Sequence, residues 1–233
     1  MVNKKIGVLM LNTVFPRLQG DIGNMDTFRV DTERLWVEGA TSKSVVLSDV
    51  DICNNFLSGA KKLQENNCSL VTTSCGFLIK YQSEISKSLS VPFISSSLVL
   101  YNLLQSIYGV GQVGVLTASK TNLSKINTDI CNIKDVCKCC EGMEETYFYN
   151  VYVENNVSDI DELDIEKLYE DIKTKAIMLK DRCSKKLSVI LMECTNMAPF
   201  AERLSLECDI PVYTLNSAIN MALNNKENSY IIG

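Results

Sequence analysis

Short apolar runs rich in β-branched residues recur along this chain, separated by stretches with helical spacing. Runs of this kind, bounded by small polar residues, are the pattern of strands covered on both faces. They predict strands at Lys5–Asn12, Val45–Ser48, Ser69–Ser74, Pro92–Ser95, Gln112–Thr117, Glu145–Val153, Leu187–Glu193 and Val212–Thr214. Helices are predicted at Asp51–Asn66, Gly76–Ser88, Ser97–Tyr108, Leu163–Lys180 and Pro199–Cys208. In the fourth of these, Leu163, Leu168, Ile172 and Ile177 recur at near-helical spacing and mark a packing face. Alternation of strand and helix predicts an α/β fold with parallel sheets flanked by helices. Gly109, Gly111 and Gly114 punctuate the middle and suit a boundary between two lobes, and the Asn-rich stretch Asn224–Asn228 reads as a solvated connection.

The length, 233 residues, allows one large domain or two small ones. The division places residues 1–97 plus 212–233 in one lobe and 98–211 in the other. Composition is that of a globular chain, 46% hydrophobic and 22% charged. A net charge of −5, with no basic patch interleaved with aromatics, argues against a nucleic-acid partner. The apolar run Ile6–Leu11 is too short for a signal core or a membrane span. The expectation is a soluble, cytoplasmic protein with no membrane partner.

Ten cysteines and no histidine change the picture more. Without an imidazole, Ser-His-Asp and Cys-His nucleophiles are excluded, as are histidine-based zinc sites. Acid–base work falls to Cys, Asp, Glu, Lys or Tyr. In the run Cys137-Lys138-Cys139-Cys140, no second Cys-x₂₋₄-Cys pair appears, and the segment reads as an exposed, metal-free loop without a disulfide.

Two segments look alike. Strand Ser69–Ser74 runs into Cys75-Gly76-Phe77, and strand Leu187–Glu193 runs into Cys194-Thr195-Asn196, 119 residues later. Each puts a cysteine where a buried strand ends and a helix begins, the edge at which open α/β sheets bind ligands. A helix N-terminus favours a thiolate, and cysteine pKa values of roughly 3.5–7.5 are reached there. Facing each other across a cleft, one sulfur could take a proton from carbon and the other return one. The plainer reading of each is a small buried hydrophobe, and it is adopted for Cys53, Cys68, Cys131, Cys183 and Cys208.

Gly20-Asp21-Ile22-Gly23-Asn24 with Thr27-Phe28, Thr72-Thr73-Ser74-Cys75-Gly76-Phe77-Leu78, and Glu193-Cys194-Thr195-Asn196-Met197 together resemble the aspartate/glutamate/hydantoin racemase superfamily. The resemblance covers essentially the whole chain. It implies two Rossmann-like lobes related by a pseudo-twofold, with the site between them and one cysteine from each lobe acting as base and acid. It implies no cofactor, neither pyridoxal phosphate nor metal. Carried over, the catalytic pair is Cys75 and Cys194. Substrate contacts fall on Asn12, Thr13, Thr73, Ser74, Gly76, Thr117 and Thr195. Arg17 is a candidate for pairing with a substrate carboxylate, alongside its reading as a solvated loop arginine.

The sequence departs from the pattern in places. Gly76-Phe77 replaces the Asn-Thr that follows the first cysteine of glutamate racemases, and Asn196 stands where several relatives carry His or Glu. Possession of both cysteines points away from arylmalonate decarboxylases, which keep one, and leaves maleate-type isomerases open. The expected function is a cofactor-independent racemase of aspartate, glutamate or a related small acid. The alternatives are a hydantoin racemase or cis-trans isomerase, and a non-catalytic small-carboxylate-binding protein. A homodimer is expected. Trp36, in an apolar stretch, reads as core or interface.

Overall fold

The computed structural model describes residues 4–47, 51–183 and 185–223. Ser48, at the end of one expected strand, and the Asn224–Asn228 stretch lie outside them.

Two four-stranded sheets carry the chain. The first contains β1 (Lys5–Asn12), β2 (Asp31–Thr41), β3 (Leu70–Thr73) and β4 (Phe93–Ile94), in the order β2-β1-β3-β4. The second contains β5 (Val113–Thr117), β6 (Cys140–Gly142), β7 (Val189–Met192) and β8 (Val212–Tyr213), in the order β6-β5-β7-β8. All six pairings are parallel. Both sheets therefore repeat one order: second strand, first, third, fourth. The central strands are the apolar runs of the sequence, and Ile6, Val8, Leu9, Val115, Val189 and Leu191 have no exposed surface. Complete burial of one such side chain contributes about 1.5–3 kcal/mol. Helices cover the sheets, as the alternation predicts.

Those helices are α1 (Ser42–Val46), α2 (Cys53–Glu65), α3 (Gln82–Lys87), α4 (Tyr101–Tyr108), α5 (Lys120–Leu123), α6 (Ile133–Lys138), α7 (Tyr147–Tyr152), α8 (Ile165–Arg182), α9 (Ala201–Cys208) and α10 (Leu215–Leu223). Two expected strands are helical instead. Thr41 and Ser44 form a reciprocal capping box that starts α1, so Val45 and Val46 lie in a helix. Thr146 caps α7 by accepting from the Tyr149 amide, and this overrides the β-propensity of Tyr147–Val153. Strands β2 and β6 were not expected. The first is a charged, half-exposed edge strand without the apolar signature, and the second has three residues.

Other expectations shift. Strand β8 pairs with β7, so residues 212–213 belong to the second sheet, and the chain returns only afterwards, through α10 against β4. On α8 the buried face is Leu168, Tyr169, Ile172, Ala176 and Leu179, while Ile177 is exposed. Trp36 is 56% exposed on β2, not core. The cysteine-rich segment is no exposed loop. Cys131, Cys139 and Cys140 are buried, and Cys139 is paired as a disulfide with Cys183. No helix among the described residues is long and apolar enough to cross a membrane.

Candidate active site

Cys75 follows β3 and Cys194 follows β7, the third strand of each lobe. Each has extended backbone and precedes a six-residue 3₁₀ turn, Gly76–Tyr81 or Thr195–Phe200. Both open onto one small cavity between the sheets. Three hydrogen bonds latch the lobes around it. Thr195 Oγ1 donates to the Ser74 carbonyl at 2.9 Å, and Ser97 Oγ to the Met192 carbonyl at 2.7 Å. Asn196 Nδ2 donates to Asp21 Oδ2 at 2.6 Å, and within the first lobe Asn216 of α10 donates through Nδ2 to the Gly20 carbonyl at 2.8 Å. Gly20, at φ 101°, lets Pro199 approach so closely that a Cβ would lie 2.9 Å from its Cα.

Asp21 is the hub of the entry loop. It is 1% exposed, and its Oδ1 accepts from Arg17 Nη1 at 2.8 Å and from the Gly23 amide at 2.7 Å. The Cys194 thiol in turn donates to Asn196 Oδ1 at 3.6 Å. A chain of contacts thus runs from Arg17 through Asp21 and Asn196 to the second sulfur. Arg17 also donates to Thr13 Oγ1 at 3.2 Å and lies 4.8 Å over the Phe15 ring, which fixes its guanidinium at the cavity wall.

Of the residues expected from sequence, Cys75, Cys194, Thr13, Arg17, Ser74, Gly76 and Thr195 line this cavity. Three do not. Asn12 is spent on the Val37 carbonyl at 3.1 Å, and Thr73 on the Ser95 carbonyl at 2.7 Å. Thr117 donates to Glu193 Oε2 at 2.7 Å, so its hydroxyl serves a carboxylate rather than the cavity. Sequence reasoning missed Phe15, Phe77 and Tyr152 as cavity walls, and Glu193 as a residue in its own right. Tyr152 was hidden by the strand expected over Glu145–Val153. Glu193 carried one available signal, a carboxylate at the end of an otherwise apolar strand.

The electrostatics reverse the expected sign. Burial, and next the Glu193 carboxylate, push the Cys75 thiol up to about 12. The same two causes in the same order push Cys194 well above the usual thiol range. The Phe77 amide at Cys75 and the Asn196 amide at Cys194 act the other way. Short 3₁₀ turns offer little of the dipole of a full α-helix, and desolvation wins. Both cysteines are therefore held as thiols at neutral pH. Glu193 is itself raised to about 7 by burial, against the Thr117 hydroxyl and the Ala118 amide, which favour its ionised form.

Solved structures with this arrangement of lobes carry it at low identity. An allantoin racemase from Klebsiella pneumoniae superposes with a TM-score of 0.61 at 12% identity, over 94% of this chain and 86% of that one. Unliganded arylmalonate decarboxylase gives 0.58 at 10%, over 97% and 95%. The fold is the one that these racemase and decarboxylase structures share. The curated relatives that match in sequence carry a different name. A dimethylsulfoniopropionate lyase from Durusdinium sp. clade D is 27% identical over 89% of this chain and 70% of its own length. Dimethylsulfoniopropionate lyase 3 from Emiliania huxleyi is 24% identical over 94% of this chain and 58% of its own length. No family model matches the chain.

Proposed function

We propose that this chain is an enzyme that removes a proton from the carbon next to a substrate carboxylate, with Cys75 and Cys194 as the acid–base pair. The observation that carries this reading is that two cysteines, at equivalent positions in two repeated lobes, open onto one cavity walled by Arg17. The arginine pairs with the carboxylate, and its bond to Asp21 holds it in place for this task. Positioned proton transfer of this kind contributes about 10²–10⁴-fold.

The rest of the wall favours one class of substrate. Arg17 is the one basic side chain among the lining residues, and Phe15, Phe77 and Tyr152 supply aromatic surface. A substrate with one carboxylate and an apolar or onium far end suits such a lining, since aromatic faces attract onium cations. Dimethylsulfoniopropionate, named in the lyase relatives, is such a molecule. Loss of its α-proton to a thiolate would let the C–H electron pair form a C=C bond as the C–S bond breaks. Dimethyl sulfide then leaves with the sulfur electron pair, and acrylate remains.

Racemisation of aspartate or glutamate is the second reading, favoured by a thiol in each lobe, because inversion needs a proton returned to the opposite face. A second carboxylate, however, would meet aromatic rings and Glu193 rather than another cation. Proton NMR in D₂O separates the two. Acrylate and dimethyl sulfide from dimethylsulfoniopropionate support the lyase reading, and α-deuteration of both enantiomers of an acidic amino acid supports the racemase. Binding of carboxylates with neither product nor exchange would leave a non-catalytic binding protein and overturn both.

A further inference from the structure

Glu193 has no part in the acid–base pair as described, and its surroundings are unusual. It is 1% exposed, lines the cavity, and stands beside Cys194 at the end of β7. One carboxyl oxygen, Oε2, accepts from Thr117, while the other, Oε1, has no hydrogen-bond partner. It faces Gly76 of the first lobe so closely that a Cβ there would lie 2.2 Å from Oε1. Cys75 precedes that glycine directly. A buried carboxyl with a bare oxygen thus lines the same cavity as the two sulfurs, next to Cys194 in the chain and against the residue that follows Cys75, and such an oxygen costs stability unless it gains a proton or a partner.

We propose that Glu193 is a positioning residue whose carboxylate charge competes with thiolate formation at the two cavity cysteines, so that the carboxyl and the two sulfurs carry one negative charge between them. The proposal rests on the reading of Cys75 and Cys194 as the acid–base pair. A second charge in the cavity is resisted because ionised Glu193 opposes thiolate formation at both cysteines. The other groups that face this cluster act on single members of it. Cys140 on β6 feels Glu193, Lys80 and Arg17 favour the Cys75 thiolate, and Asp21 opposes that of Cys194. Among the described residues no lysine or arginine forms an ion pair with Glu193 itself.

Iodoacetamide alkylation of the folded protein, read cysteine by cysteine by mass spectrometry across the neutral pH range, tests this without a substrate. Half-buried Cys208, on α9, is the internal reference. In the wild type the rate at Cys75 and Cys194 is expected to rise with pH, level off as Glu193 ionises near pH 7, and rise again at higher pH. Glu193→Gln is expected to rise without the level stretch. It should match the wild type at pH 6 and be up to about tenfold faster at pH 8, because the ionised carboxylate there outnumbers the acid by about that factor. Thr117→Val keeps Glu193 but removes a hydroxyl that favours its ionised form, so the level stretch should move to higher pH. That variant decides the matter if Glu193→Gln does not fold. Parallel profiles for wild type and Glu193→Gln, or a level stretch unmoved by Thr117→Val, would overturn the proposal. If the expected profiles appear but no α-hydrogen exchange is found with any carboxylate, the functional reading falls and the shared charge stands.

Discussion

Replacing Glu193 by glutamine is expected to abolish a pH-dependent loss of stability. Burial raises this carboxyl from 4.5 to about 7, so the folded chain keeps a proton that the unfolded chain releases above about pH 4.5. The contribution is therefore fully present below pH 4.5 and is lost as pH rises through about 7. At about 1.36 kcal/mol per pH unit, the whole window corresponds to about 3 kcal/mol. Most of that falls between pH 5 and pH 8. Glutamine keeps the shape and can still accept from Thr117, but it has no proton to lose. The two cavity thiols stay protonated over this interval in the fold, so their contribution cancels between the two proteins. Urea unfolding at pH 5 and pH 8 gives the comparison directly. The wild type is expected to lose about 2–3 kcal/mol more than the variant between the two conditions. Equal losses in both proteins would refute the reasoning, because they would mean that Glu193 ionises in the fold as it does in the unfolded chain.

Gly76→Ala would set a Cβ 2.2 Å from Glu193 Oε1 and 2.3 Å from the Glu193 carbonyl oxygen. Since a backbone atom of β7's edge cannot yield without parting the lobes, a loss of about 1–3 kcal/mol is expected in thermal or urea unfolding. Asp21→Asn strips the charge from a carboxylate that holds Arg17, whose side chain is 10% exposed. About 3–5 kcal/mol is expected to go with it, measured by chemical denaturation at neutral pH. Arg17→Met removes the cavity's basic wall, and a charged hydrogen bond contributes about 1.5–3 kcal/mol, so KM for the carboxylate substrate is expected to rise roughly ten- to hundredfold in steady-state kinetics.

Much of the fold was legible because the central strands of both sheets are covered by helices and therefore read as unbroken apolar runs. Strand β1 appears in the sequence with the bounds it has in the structure, and β3, β5 and β7 within two residues of theirs. What was hidden has a physical cause in each case. Strand β2 lies at a sheet edge with one side to solvent, so Glu33, Arg34 and Glu38 interrupt its pattern. Segment Tyr147–Tyr152 carries residues that favour strands, and only its cap at Thr146 and its packing against α8 make it a helix. At the site, the two strand-end cysteines were visible because each breaks an apolar run at the same point of a repeated unit. The sign of their shift was not, since it depends on desolvation and on a carboxylate whose burial no local pattern announces. The destinations of Asn12, Thr73 and Thr117 were equally invisible, because their partners lie on neighbouring strands and loops.

The central claim is that both cavity thiols handle the α-hydrogen of a carboxylate. Its most direct measurement is α-hydrogen exchange in D₂O with the turned-over substrate, compared among wild type, Cys75→Ala, Cys194→Ala and the remote control Cys68→Ala. Exchange or elimination is expected to fall by at least about 10²-fold in each cavity variant, the low end of what a positioned acid–base group supplies, and to be unchanged in the control. Exchange at the wild-type rate in either Cys75→Ala or Cys194→Ala would contradict the two-thiol account.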